Sequence, residues 1–351
     1  MSPTGAEHET ALFREAGEAP AAIARHLTET AAFIGRLVRA IRAFDPVFVV
    51  TCARGSSDHA ATYAKYLIET TLGLATASYA PSIASIYGRA LKLERALFIA
   101  ISQSGGSADL VASAQAARAQ GALTIAFVNE TESPLAQACA WVVPLHAGRE
   151  HSVAASKSYI ASLAAIAHLV AHWAEDAGLQ AGLAKLPEQL AAAWTLDWSP
   201  ALAVLGGAGN SFMVSRGLGL GLAQEAALKC KETAQQHAEA FSAAEVRHGP
   251  MALVGKGFPV FMFVPKDRTR DVFVPLAADF VARGAAVVAA GARLDGALCL
   301  PSVGADIADV DPRLAPLCFA QSFYRLVNAL ALARGCDPDR PPYLKKVTIT
   351  A

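Results

Sequence analysis

ALFIAISQSGGSADL, residues 96–110, carries the decisive pattern of the chain. Ala96 to Ser102 is a seven-residue apolar run rich in branched side chains, the signature of a buried β-strand. It breaks into Gln103-Ser104-Gly105-Gly106-Ser107, and a helix is predicted from Ala108 to Gln120. A strand that ends in a hydroxyl- and glycine-rich loop and opens a helix places backbone amides, Ser hydroxyls and a helix N-terminus at one point. Such a point can hold an anion without a lysine. The same residues also suit an ordinary Ser-Gly turn with Ser caps, and local composition leaves both readings open.

Outward from this stretch the grammar repeats. VFVVTC (47–52) predicts a strand, ending at Arg54-Gly55-Ser56-Ser57 before a helix from His59 to Thr71. LTIAFV (123–128) and WVVPL (141–145) predict two more strands. In the second half SFMVSRG (211–217), PVFMFVP (259–265) and AAVVAAG (285–291) predict strands, with helices from about Leu220 to Gln236 and Arg270 to Arg283. Gly55 and Gly217 lie 162 positions apart, and two of the strand pairs keep nearly that offset. Strands alternating with helices, twice over, imply a duplicated doubly wound parallel α/β unit. The expected organisation is an N-terminal helical segment (1–45), a first α/β domain (46–180), a linker (181–199), a second α/β domain (200–333) and a C-terminal tail (334–351).

Composition narrows the function. Of 351 residues, 54% are hydrophobic and 17% charged, too apolar for a disordered chain. Thirty basic residues balance thirty acidic ones, so no basic excess exists for an extended nucleic-acid groove. The start carries Glu7, Glu9, Arg14 and Glu15 and does not resemble a signal peptide. Ser158 to Ala174 is uncharged but short for a membrane span, and is read as a buried helix. Six cysteines without a CxxC pair read as reduced thiols in a cytoplasmic protein.

Other constellations are weaker. Gly217-Leu-Gly-Leu-Gly221 fails as a dinucleotide fingerprint, because the third glycine would fall on Leu222. His168 and His172 are four apart but lack the glutamate of a metalloprotease helix, so no metal is expected. Glu225, Lys229 and Glu232 share one helical face. That spacing fits a solvated salt-bridge ladder or a carboxylate poised for proton transfer beside Lys229, and does not decide between them. His248-Gly249-Pro250 ends the following stretch in a rigid turn.

Taken in order, these stretches resemble the double sugar-isomerase-domain (SIS) family. The resemblance is to the isomerase half of glucosamine-6-phosphate synthase and to stand-alone glucosamine-6-phosphate deaminases. It rests on ALFREAGEAPAAIARHL, ARGSSDHAATYAKYLIE, ISQSGGSADL, GREHSVAASKSY, QEAALKCKETAQQHAEAFSAAEVRHGPMAL and LKKVTIT. It implies two tandem doubly wound SIS domains and no cofactor. Ser56, Ser57, Ser102, Gln103, Ser104 and Ser107 would hold a sugar phosphate, and Val153 and Ala154 would contact the sugar. Glu232 would move a proton between C1 and C2 beside Lys229. His248 would open the ring, supplied across a homodimer, and Lys346 rather than Lys345 would stand near the carbonyl.

The chain departs from the synthase at Arg54, where a Cys is usual, and at Ala155, where a Ser is usual. The synthase also has a separate N-terminal glutaminase domain with a Cys nucleophile, whereas here residue 2 is Ser. The expected activity is therefore conversion of glucosamine 6-phosphate to fructose 6-phosphate and ammonia, with no membrane or nucleic-acid partner. The rival expectations are a plain phosphosugar isomerase, a fructosamine-6-phosphate deglycase and a non-catalytic phosphosugar sensor.

Overall fold

The computed structural model describes residues 10–307 and 309–346. Two helices open the described chain, α1 (Ala11–Gly17) and α2 (Ala19–Phe44). Pro20 falls in the first turn of α2, where its missing N–H is not needed. There follow β1 (Phe48–Cys52), α3 (Ser56–Leu72), β2 (Thr76–Ser78), α4 (Ser82–Ser85), β3 (Ala96–Ser102), α5 (Ala108–Ala119), β4 (Leu123–Val128), α6 (Pro134–Ala138), β5 (Trp141–Pro144), α7 (Lys157–Trp173) and α8 (Ala177–Thr195). The second half comprises α9 (Leu202–Leu205), β6 (Asn210–Ser215), α10 (Leu220–Ala234), β7 (His237–Ser242), β8 (Pro259–Phe263), α11 (Phe273–Ala282), β9 (Ala286–Ala290), β10 (Leu298–Leu300) and α12 (Ala315–Ala333).

The strands form two five-stranded sheets in which every neighbouring pair is parallel. Their orders, β2-β1-β3-β4-β5 and β7-β6-β8-β9-β10, are the same topology twice. All seven residues of β3 and all five of β8 are buried, as strands covered on both faces require. Val50, Phe98, Ala126 and Leu135 belong to one apolar cluster; Phe212, Val260, Met262 and Phe280 belong to another. Each sheet reverses its strand order once, between β1 and β3 and between β6 and β8. Crevices at such reversals, beyond the strands' C-terminal ends, are where open α/β sheets bind ligands.

The chain divides into two compact units that do not follow it linearly. One comprises residues 21–150 and 157–184 with Lys346 and its neighbour. The other comprises residues up to 20, 151–156 and 185–344. The apolar stretch read as a buried helix is α7, buried almost throughout. No helix among the described residues is long and apolar enough to cross a membrane. Residues 181–195, expected as linker, continue the helix α8 with Pro187 inside it. The helix expected from Arg270 begins as a 3₁₀ turn, Arg270–Val272, and becomes α-helical at Phe273.

Within the first unit, His26 and His168 meet in the interior. The carbonyl of Pro144 can only accept, so His26 Nδ1 donates to it at 3.0 Å. That leaves His26 Nε2 to accept from His168 Nδ1 at 3.4 Å, with Thr30 Oγ1 also 3.3 Å from that nitrogen. His146 and His172 flank the pair, and Glu29 faces His146. Burial pushes His26 down from 6.5 to about 4 and His168 to about 3, and the neighbouring imidazoles push in the same direction. An unfolded chain takes up these protons below pH 6.5 and the folded one does not. Stability is therefore expected to fall as the pH drops from 6.5 toward 4, by about 1.4 kcal/mol per pH unit for each ring. Thermal melts at stepped pH should show this slope, reduced in His168→Gln; identical slopes would contradict it.

Candidate active site

The two loops at the first reversal are built around glycine and an ion pair between a half-exposed arginine and a buried aspartate. Gly55 precedes α3 with φ 55° and ψ −133°, a conformation a side chain strongly disfavours. Ser56 and Ser57 then open α3. Arg54 donates from Nε and Nη2 to Asp109 Oδ2 at 3.0 and 2.8 Å. The Asp109 side chain is fully buried in the first turn of α5, and its other oxygen accepts from Leu110 N at 2.9 Å. Arg54, a departure in the sequence, thus fastens the first loop to the helix behind the second.

In the second loop Ser102 Oγ accepts from Gly105 N at 3.1 Å and Ser104 Oγ from Gly106 N at 3.4 Å. Gly105 has φ 62°, and a Cβ there would lie 2.0 Å from Ser133 Oγ. The Gln103 carbonyl accepts from Asn129 N at 3.1 Å. Ser107 has the extended backbone of an N-cap, yet its hydroxyl makes no cap bond. The six residues expected to hold a phosphate therefore lie at the C-terminal ends of β1 and β3 in one sheet, at the N-termini of α3 and α5.

Lys346 belongs to the same unit, and its amine donates to Glu150 Oε2 at 2.7 Å. Glu150 is buried and also accepts from Ser158 N at 3.1 Å and Ser158 Oγ at 2.7 Å, at the start of α7. Lys157, buried beside it in sequence, donates to the Arg149 carbonyl. Sequence reasoning did not single out Glu150 or Lys157. The available signal was a glutamate and a lysine, Glu150 and Lys157, on either side of the segment expected to contact a sugar.

The second unit holds the remaining candidates. Val153 and Ala154 lie in a segment whose backbone is held by α1: Ser152 N donates to Glu15 Oε2 at 3.0 Å and His151 N to Oε1. Ala154 is fully buried and Val153 half-buried. On α10, Lys229 has no exposed surface. Its amine lies 3.4 Å from Glu225 Oε1 and donates to Glu232 Oε2. Glu225 is itself buried and accepts from Tyr324 OH of α12 at 3.0 Å. Burial alone would lower the Lys229 pKa, but Glu225 and Glu232 outweigh it and hold the amine above its ordinary value. The solvated-ladder reading is thereby excluded. Glu232, 21% exposed, is the accessible member of the set. Glu225 and Tyr324 were not legible as its support.

His248 is exposed at the end of a 3₁₀ turn, Glu245–Arg247, which Arg247 ties to Asp279 of α11 at 2.8 Å. No hydrogen bond joins its ring to another side chain among the described residues. Among those residues, too, no group of three His, Cys, Asp or Glu is placed to hold a metal ion.

Residues 46–172 and 205–296 match the SIS domain. Over 340 residues, 95% of this chain, it is 33% identical to the glutamine–fructose-6-phosphate aminotransferase (isomerizing) of Methanothermobacter thermautotrophicus, and it covers 56% of that protein. The chain spans about half the length of the curated relatives it matches. A crystal structure from Silicibacter pomeroyi, to which phosphosugar isomerase activity is ascribed, superposes with a TM-score of 0.89 at 44% identity, covering 94% of this chain and 100% of that one. The C-terminal domain of the Francisella tularensis glucosamine–fructose-6-phosphate aminotransferase shares the fold, with a TM-score of 0.84 at 23% identity, covering 96% and 100%.

The buried set on α10 makes a stability prediction. Lys229→Met strands the Glu225 carboxylate without its cation and is expected to cost about 3–5 kcal/mol. Adding Glu225→Gln removes the stranded charge and should restore part of the loss. Denaturant melts of the single and double variants test this; additive losses would contradict it.

Proposed function

The chain belongs to the SIS-domain family, and within it we propose an aldose–ketose isomerase acting on an amino-sugar 6-phosphate. The preferred substrate is glucosamine 6-phosphate. The serine loops after β1 and β3 hold the phosphate through hydroxyls, backbone amides and helix N-termini. His248 assists ring opening by moving a proton between the anomeric hydroxyl and the ring oxygen. Glu232 then takes the proton from C2 and returns one at C1 while the 2-amine gives up a proton and O1 gains one, turning the aldose into a 2-imine. Water adds to that imine carbon and ammonia departs, leaving fructose 6-phosphate. Lys346 serves near the carbonyl end, and Val153 and Ala154 line the sugar.

The observation that carries this reading is the setting of Glu232. A base for carbon-bound protons must be reachable and held in one orientation. Glu232 is the exposed end of a carboxylate–ammonium–carboxylate set whose other members are buried. The aminotransferase relatives act, by name, on fructose 6-phosphate, which agrees with the substrate class.

A substrate panel tests it. Glucosamine 6-phosphate should yield equal amounts of ammonia and fructose 6-phosphate. Unphosphorylated glucosamine should fall at least about tenfold in kcat/KM, the worth of one lost charge-assisted contact. Interconversion of phosphohexoses without ammonia would return the plain isomerase, and turnover of fructosamine 6-phosphate alone the deglycase. Binding without turnover of any member would return the sensor.

The exposed ring of His248, with no hydrogen bond to another side chain among the described residues, supports its service to a neighbouring subunit in a homodimer. Co-expressed Glu232→Gln and His248→Ala chains should then recover about a quarter of the wild-type sites, from random pairing under two-fold symmetry. No recovery in a verified mixed dimer would place His248 in its own chain's site.

A further inference from the structure

The duplicated topology makes the two halves comparable position by position. β8 stands in its sheet where β3 stands in the first, 163 positions earlier. At that offset Gln103, Gly105 and Ser107 correspond to Lys266, Arg268 and Arg270. The loop of hydroxyls and glycines has a basic counterpart. Lys266 is engaged by Asp309 at 3.6 Å, and Asp267 folds onto Thr269, accepting from its N at 2.7 Å and its Oγ1 at 2.6 Å. Arg268 and Arg270 have no carboxylate partner among the described residues.

Arg270, half-buried, faces a cavity of about 520 Å³. The cavity lies past the C-terminal end of β9 and against β10, and Arg270, Ala292, Arg293, Cys299, Leu300 and Asp306 are among its lining residues. Gly291, next to the lining residue Ala292, has φ 96°, and a Cβ there would lie 2.2 Å from the carbonyl oxygen of Val264, which follows β8. Asp306 accepts from Ser302 N at 3.0 Å and stands 4.0 Å from Arg293, which is largely exposed. The volume is within the range of small-molecule sites.

We propose that the cavity between Arg270, Arg293 and Asp306 is a second ligand site, taking a phosphorylated polyhydroxy compound. Guanidinium groups match phosphate oxygens in geometry and charge. A carboxylate beside them would repel a bare anion but accepts from hydroxyls, so phosphate and hydroxyls belong to one ligand. The site is independent of the serine loops and of the reaction assigned to Glu232.

Cys299 gives a local readout, because it lines the cavity and is exposed whereas Cys52, Cys139, Cys230 and Cys318 are buried. Its alkylation by iodoacetamide, followed by peptide mass spectrometry, is measured against fructose 6-phosphate as probe. Protection should reach about tenfold with the probe at ten times its dissociation constant, from one-site occupancy. Arg270→Ala should raise the half-protecting concentration about tenfold or more, and Arg270→Lys should recover part of it. Ser104→Ala, which alters the first-half loop, should leave Cys299 protection unchanged. Absence of protection at millimolar probe, its survival in Arg270→Ala, or its loss in Ser104→Ala would each overturn the proposal. Failure of the substrate panel would leave it standing.

Discussion

The ammonium of Lys229 lies out of reach of solvent, which an isolated charge cannot do without several kcal/mol of desolvation. It is tolerated because α10 supplies a carboxylate one turn to either side, Glu225 and Glu232. Glu225 in turn needs Tyr324 from α12, so the packing of these two helices is fixed by a polar contact as well as by apolar area. The consequence for chemistry is directional. One carboxylate is spent inside as a counter-ion, and the other is presented outward on a rigid helix. The candidate base thus owes its position to charges it never exposes.

The phosphate loops follow a different logic. There the charges are few, and the work falls to glycine conformation, Ser hydroxyls and helix N-termini. An ion pair, Arg54 with Asp109, ties the first loop to α5 behind the second. In the second half the same topology carries arginines facing a cavity and no serine cluster. Duplication preserved the sheet order while the strand-end loops diverged, as expected when the sheet sets the fold and the loops set the ligand.

Much of this was legible in the sequence. The central strands β1, β3, β4, β6, β8 and β9 read as apolar runs because both faces of each are covered. Of the edge strands, β5 was read from WVVPL, whereas β2 and β10, three residues each, and β7, mostly not buried, lack that signature. α8 was masked by Pro187 and its flanking tryptophans, which suggested a junction where tertiary packing sustains a helix. The serine loops and the Glu225–Lys229–Glu232 face were visible as patterns. Whether that face was wet or dry depended on α12, some hundred residues away, which no local spacing encodes. Glu150, paired with Lys346 across 196 positions, was hidden for the same reason.

The central claim is that Glu232 carries protons to and from the sugar carbons. Its most direct test is hydrogen exchange at those carbons, read by NMR in deuterium oxide with fructose 6-phosphate and ammonium, the reverse pair of substrates, bound. Wild-type protein should exchange a C1 proton with solvent, and Glu232→Gln, which keeps size and polarity but not the basic oxygen, should slow that exchange by about 10²–10⁴. Exchange in Glu232→Gln at the wild-type rate, with the sugar still bound, would contradict the account.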